Sequence, residues 1–309
     1  MKARIKFGLL AVVAVLVIVE ATVRLFGTVD FPIYEANNIV GYIPRPSQQG
    51  AFLNRNTWLF NSRSMGATEF APKDGEDILL IGDSVVLGGN PLRQEDKLGP
   101  QLARRLGRAV WPISAGSWAL RNELAYLRTN PDVIARMGRI VFVLNSGDFD
   151  EASSWSCEVT HPRSRPLLAS LYLFRKYVWD FAGSCGSAPN DLQVPSGDWQ
   201  VELNDFLASQ PSQGKPIDFF LYPARSESSG EKPFDATIEP RLATVIDRAQ
   251  GSIGRISIYD INRDPRWQRT LYRDDIHPSV EGNGILATII ASPAMTTEHR
   301  STTTVVRKN

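Results

Sequence analysis

Thirteen uncharged residues, FGLLAVVAVLVIV (7–19), follow a start that carries Lys2, Arg4 and Lys6. The next stretch, EATVRLFG, extends the apolar helix to about twenty positions, enough for a ~30 Å hydrocarbon core. Glu20 and Arg24 stand one turn apart, where they can pair near the interface. A basic flank before an aliphatic run reads as a signal peptide or a membrane anchor. No small-x-small cleavage site follows Val19, which favours an uncleaved signal-anchor over a cleaved peptide. A buried core helix fits poorly, since the run has no polar face to turn to water. Positive-inside bias puts the cations in the cytoplasm and everything after residue 27 outside, most simply in a bacterial periplasm.

Beyond the anchor the pattern changes twice. Residues 28–75 are rich in Pro, Asn, Gly and aromatics without a long period, and predict short strands and turns that cap the main domain. From residue 76 to 295, apolar runs alternate with helical stretches. The runs are DILLIG (77–82), AVWPIS (109–114), RIVFVLN (139–145), IDFFLY (217–222) and RISIYD (255–260). Helices are predicted over 91–106, 118–137 and from Pro278 onward. Such alternation predicts βαβ units and a mainly parallel sheet of five buried strands. An insertion over 149–216 carries two further candidate helices, PLLASLYLFRKYVWDFAG and DWQVELNDFLASQ, and insertions at strand ends commonly shape access to a site. The polar string 296–309 lacks an apolar stripe and predicts a loose tail.

Composition narrows the function classes. The chain has 309 residues, 34 Lys and Arg against 33 Asp and Glu, and a net charge of +1, so the basic excess of a nucleic-acid-binding surface is absent. The two cysteines, Cys157 and Cys185, form no zinc pattern and no C-x-x-C pair. In an oxidising compartment they are expected to form one disulfide, with two buried free thiols as the alternative.

Ligands of open parallel sheets bind beyond the carboxyl ends of the strands. The residues there are Gly82-Asp83-Ser84, Ala115-Gly116-Ser117 and Asn145-Ser146-Gly147-Asp148, with Asp274-Asp275-Ile276-His277-Pro278 ahead of the last helix. A serine at one strand end and an Asp-x-x-His at another are the parts of an acyl-transfer site: a hydroxyl, an imidazole to take its proton, and a carboxylate to orient the imidazole. Taken singly each has a plainer reading. Ser84 suits a helix N-cap, and Pro278 suits a first helical turn with His277 merely preceding it. Asp83 reads as a structural residue that holds its turn. Asp274 and Asp275 compete as orienter, while His161 and His299 have no such neighbourhood. A metal held by Asp148, Asp150 and His277 lacks any recognised ligand spacing. Nucleotide-binding loops and a Gly-x-Ser-x-Gly elbow are missing.

Three of these segments resemble blocks of the SGNH, or GDSL-type, hydrolase family. ILLIGDSVVLGG is similar to the block that carries the nucleophile, which maps to Ser84. ISAGSWALRNELAYLR resembles the block whose glycine donates to the oxyanion hole, which maps to Gly116. DDIHPSVEGN resembles the block that maps to Asp274 and His277. The resemblance implies a three-layer α/β/α sandwich of flavodoxin-like type and acyl-ester hydrolysis or acyl transfer without metal or organic cofactor, with Ser84 and Gly116 N–H groups holding the oxyanion. It also implies a third oxyanion donor, an asparagine in Gly-x-Asn-Asp. Here that position is Gly147, beside Asp148. Asn145, the Gly147 N–H and Asn122 are the candidate replacements. The resemblance also implies O-acetyl or other short acyl esters, and the address suggests an envelope or exported glycan as their carrier. The alternatives are an O-acyltransferase and a non-catalytic glycan-binding protein of the same fold.

Overall fold

The computed structural model describes residues 2–179, 185–231, 237–249 and 255–292. Strands β5 (Ile78–Gly82), β6 (Val110–Ser114), β7 (Arg139–Leu144), β8 (Ile217–Leu221) and β9 (Ile256–Asp260) form a five-stranded sheet in the order β6-β5-β7-β8-β9, and every adjacent pair is parallel. This is the doubly wound, flavodoxin-like strand order. Because both faces are covered, the strands read as continuous apolar runs, and alternate residues go to opposite layers. Leu79, Ile81, Ile140, Phe142, Leu144, Phe219 and Ile258 pack with helices α4 (Leu120–Thr129), α5 (Pro131–Arg136), α7 (Trp199–Ala208) and α9 (Ile238–Ala249). Ile78, Leu80, Val141, Val143, Phe220 and Tyr259 pack with α2 (Ser84–Leu87), α3 (Leu98–Leu106) and α10 (Val280–Ala291). The expected three-layer α/β/α sandwich with a parallel sheet is therefore the observed architecture.

Ahead of the sheet, β1 (Tyr34–Asn37) and β2 (Gly41–Pro44) pair antiparallel, as do β3 (Gln48–Phe52) and β4 (Asn56–Phe60). These ribbons are latched to the sandwich: Trp118 Nε1 donates to the Tyr42 carbonyl at 2.6 Å, and the fully buried Asn122 donates to Val40 O at 2.9 Å.

Three helices differ in extent from the sequence pattern. The helix over 118–137 is two, because Pro131 cannot continue α4 and Asn130 leaves helical geometry before it. The one over 91–106 begins as a 3₁₀ turn at Gln94–Asp96 and becomes regular only at Leu98. The first insertion helix is α6 (Ala169–Phe174) followed by a wider π-type turn, Arg175–Trp179, and its remainder lies outside the described residues. A short helix, α8 (Arg225–Ser228), follows β8. The tail 296–309 is also outside them.

Helix α1 (Lys2–Leu25) contains the one segment among the described residues, Ile5–Leu25, that is long and apolar enough to cross a membrane, and none of it is buried in the protein. Cys157 and Cys185 are disulfide-bonded with a Cα–Cα distance of 5.5 Å and 28 positions apart. A loop of that size predicts that changing both to Ser lowers unfolding stability by about 3 kcal/mol. Urea titration without reductant measures it, and an unchanged midpoint would refute it.

Candidate active site

The crevice at which the strand order reverses lies between β5 and β7, and the segments that follow both strands line it. At the end of β5, a Cβ on Gly82 would lie 2.5 Å from the Val86 side chain and 2.8 Å from the Val143 carbonyl, so only glycine lets both come this close. The turn sets Asp83 as N-cap of α2, its Oδ1 accepting the Val85 N–H at 2.8 Å. Ser84 becomes the first helical residue, with an N–H that has no partner within the helix. Its hydroxyl, partly exposed, donates to Asp83 Oδ2 at 3.1 Å.

His277 sits on the loop before α10. Its Nδ1 lies 2.9 Å from both carboxylate oxygens of Asp274, which also accept the N–H groups of Ile276 at 3.0 Å and His277 at 2.7 Å. Asp274 rather than Asp275 therefore holds the ring. Desolvation works against the Asp274 carboxylate, but the His277 and Ile276 N–H groups and the imidazole outweigh it and hold its pKa below the ordinary value. The loop is pinned against the crevice. Arg273 donates to the Gly88 carbonyl at the end of α2 (2.9 Å), and the Tyr222 hydroxyl donates to Ile276 O (2.7 Å). His277 is near enough to Asp83 for its charge to favour the ionised carboxylate. The structure thus sets the Asp274–His277 pair on a loop tied to the end of α2, the helix that Ser84 begins, with the serine hydroxyl turned to Asp83 and not hydrogen-bonded to the imidazole.

The third oxyanion donor is a different matter. Asn145 gives one amide hydrogen to Asp83 Oδ2 (3.0 Å) and one to Asp148 Oδ1 (3.1 Å), and its Oδ1 accepts the Gly147 N–H at 2.8 Å. Asn122 is spent on Val40 O and Ser153 O. None of the three replacements drawn from the sequence holds a free donor in this arrangement. The Asn145 amide instead satisfies two buried carboxyls.

Beneath the crevice those carboxyls form a group. Burial pushes Asp83, Glu123 and Asp148 above the usual carboxylate range, and Asp83 raises both Glu123 and Asp148 further. Neither Glu123 oxygen has a hydrogen-bond partner, so burial favours its neutral form. Among the described residues, no group of three or more His, Cys, Asp or Glu side chains is arranged to hold a metal ion.

Gly116 is held from the opposite side. Its carbonyl accepts the Tyr42 hydroxyl at 2.7 Å and faces His161 Nε2 at 3.2 Å, while its own N–H has no acceptor among the described residues. Ser117 follows with a φ of 60°, a left-handed conformation that a serine rarely adopts. A carbonyl only accepts, so His161 carries its proton on Nε2, and Nδ1, 3.2 Å from Thr160 Oγ1, is left as the acceptor nitrogen. The ring lies 3.9 Å from that of Tyr42 and edge-on to Tyr34 at 5.0 Å. Burial pulls its pKa from 6.5 down to about 4. The unfolded chain then binds the extra proton between those values. Stability from a neutral His161 is therefore complete above about pH 6.5 and is lost as pH falls toward 4. Thermal melts across that range should show the decline in wild type and a flatter profile in His161→Gln; identical profiles would contradict the assignment.

Tyr42, His161 and Glu123 carry no motif, and sequence reasoning missed all three. They meet the site only through the fold, from the β1–β2 ribbon, the insertion and α4.

No family model matches the chain, and no curated protein matches it. Solved structures of lipolytic and carbohydrate-esterase type do. One is a member of the lipolytic protein G-D-S-L family from Veillonella parvula DSM 2008, with 11% identity, a TM-score of 0.39, and coverage of 70% of this chain and 97% of that one. Others are an acetylxylan esterase from Geobacillus stearothermophilus (15%, TM-score 0.37, covering 72% and 94%) and a family two carbohydrate esterase from Clostridium thermocellum (11%, TM-score 0.43, covering 72% and 64%). Likenesses this distant assign no residue a role, and the fold follows from the sheet order.

Proposed function

We propose that the protein is a serine esterase that removes short acyl groups from an extracytoplasmic glycan. The observation that carries this reading is the Asp274–His277 pair, an oriented imidazole on a loop tied to the end of α2, the helix that Ser84 begins. With Asp274 fixing the proton on Nδ1, Nε2 is the basic nitrogen. Rotation about the Ser84 side-chain bond moves its hydroxyl from Asp83 to Nε2. His277 takes the proton as Oγ attacks the acyl carbonyl, and Asp274 stabilises the imidazolium. The Gly116 N–H, held in place by Tyr42 and His161, receives the oxyanion together with the Ser84 N–H at the start of α2. His277 then returns the proton to the leaving hydroxyl, and water, deprotonated by the same nitrogen, releases the acid.

The location rests on α1. Its end is built into the domain: Glu20 accepts the N–H groups of Ala169 and Ser170, and Arg24 donates to the carbonyls of Pro166 and Leu167. Cleavage beyond Arg24 would remove these contacts, which supports a retained anchor. The disulfide supports an oxidising compartment outside the cytoplasm.

Purified protein is expected to hydrolyse p-nitrophenyl acetate. Analysis of products with a glycan acceptor present separates release to water from transfer to a sugar hydroxyl, since both compete for one acyl-enzyme. The turned hydroxyl of Ser84 and the spent third donor favour one other reading, a glycan-binding protein without turnover. Carbohydrate binding unaltered by Ser84→Ala, with no ester cleaved, would select it.

A further inference from the structure

We propose that Leu167–Trp179 is a second membrane contact, lying in the outer interface of the bilayer that α1 crosses. This rests on the reading of α1 as an anchor. Leu167, Leu171, Phe174 and Val178 recur at helical spacing and all are exposed, Leu167 to 90%. The opposite face, Ala169 and Tyr172, is buried against Val29, Phe31 and Val23 of the anchor's end. An apolar stripe of this kind, unpartnered among the described residues, is continuous with the uncovered surface of α1.

Length sets the depth. A hydrocarbon core of ~30 Å needs about twenty helical residues at 1.5 Å each. Counted from Phe7, that reaches Phe26, so Glu20 and Arg24 lie inside the outer boundary. The Glu20–Arg24 pair is where α6 begins, and it meets the polar backbone groups there. Glu20 takes the N–H groups of Ala169 and Ser170 at 2.9 Å, and Arg24 gives hydrogens to Pro166 O and Leu167 O. Backbone satisfied in this way is what a segment out of reach of water requires. Farther along, Arg175, Tyr177 and Trp179 are exposed beside the stripe, the residue types that settle at headgroup level. The same insertion places His161 against Gly116, so the membrane contact and the candidate oxyanion glycine share one segment.

Tryptophan fluorescence tests this on the full chain. Of its seven tryptophans, Trp179 is 76% exposed, whereas Trp58, Trp111, Trp118, Trp155, Trp199 and Trp267 are each at most 6% exposed. Reconstituted into phosphatidylcholine vesicles with brominated acyl chains, the wild type is expected to lose emission relative to unbrominated vesicles, and Trp179→Phe is expected to remove most of that loss. Equal emission in both lipids, or quenching unchanged in Trp179→Phe, overturns the proposal, whether a second copy or another protein covers the stripe instead. Alkaline carbonate extraction of the same vesicles reports on α1 separately: retained and unquenched protein sinks this inference alone, and extracted protein sinks the anchor reading with it.

Discussion

Ser84→Ala is expected to lower kcat/KM for a short acyl ester by about 10⁴-fold or more while leaving the fold intact, because loss of a nucleophile that acts as a unit with its base removes nearly all of the chemistry. The hydroxyl makes a single hydrogen bond, to the neighbouring Asp83, so its removal disturbs little else. His277→Ala should fall to a similar level, and the double variant should be no worse than either single one. That non-additivity distinguishes a shared proton transfer from two independent contributions to binding. Steady-state rates on p-nitrophenyl acetate, with thermal melts alongside, measure both. A Ser84→Ala enzyme that keeps most of its turnover would place the nucleophile elsewhere.

The second large effect falls on stability. Asn145→Ala is expected to destabilise the protein by about 3 kcal/mol, the scale for losing hydrogen bonds to buried carboxyls. The amide bridges Asp83 and Asp148. Without it the two acids face each other, and Glu123, with no donor to either oxygen. The pH dependence has a defined sign. Acids whose pKa values are raised in the fold keep protons that the unfolded chain has released, so above the ordinary carboxylate range their contribution falls as pH rises. Asn145→Asp, which adds another carboxyl, should therefore lose more stability at pH 8 than at pH 5. Melting temperatures at the two values decide it, and equal losses would contradict the coupled-acid account. A turnover defect in Asn145→Ala without destabilisation would instead return this residue to the oxyanion hole.

The difference between those outcomes shows what a sequence holds. The strands were legible because parallel strands buried on both faces must be apolar throughout, as in ILLIG and RIVFVL. The Asp274–His277 geometry was legible because both residues lie on one short loop, where spacing limits what can touch. The partners of Asn145 were not legible, for the opposite reason. Strand periodicity says which side a residue takes, but not which carboxyls wait there from two other segments. Tyr42 and His161 reach Gly116 from 74 and 45 positions away, and no local pattern encodes such meetings. The break at Pro131 was visible in the sequence, and the apolar residues on either side, all facing one layer, concealed it.

Labelling with a fluorophosphonate followed by peptide mapping addresses the proposed nucleophile most directly. The account predicts one adduct on the wild-type protein, at Ser84, slowed strongly by His277→Ala and absent from Ser84→Ala. Wild-type protein that is folded yet unlabelled, or labelled at a different serine, would contradict it.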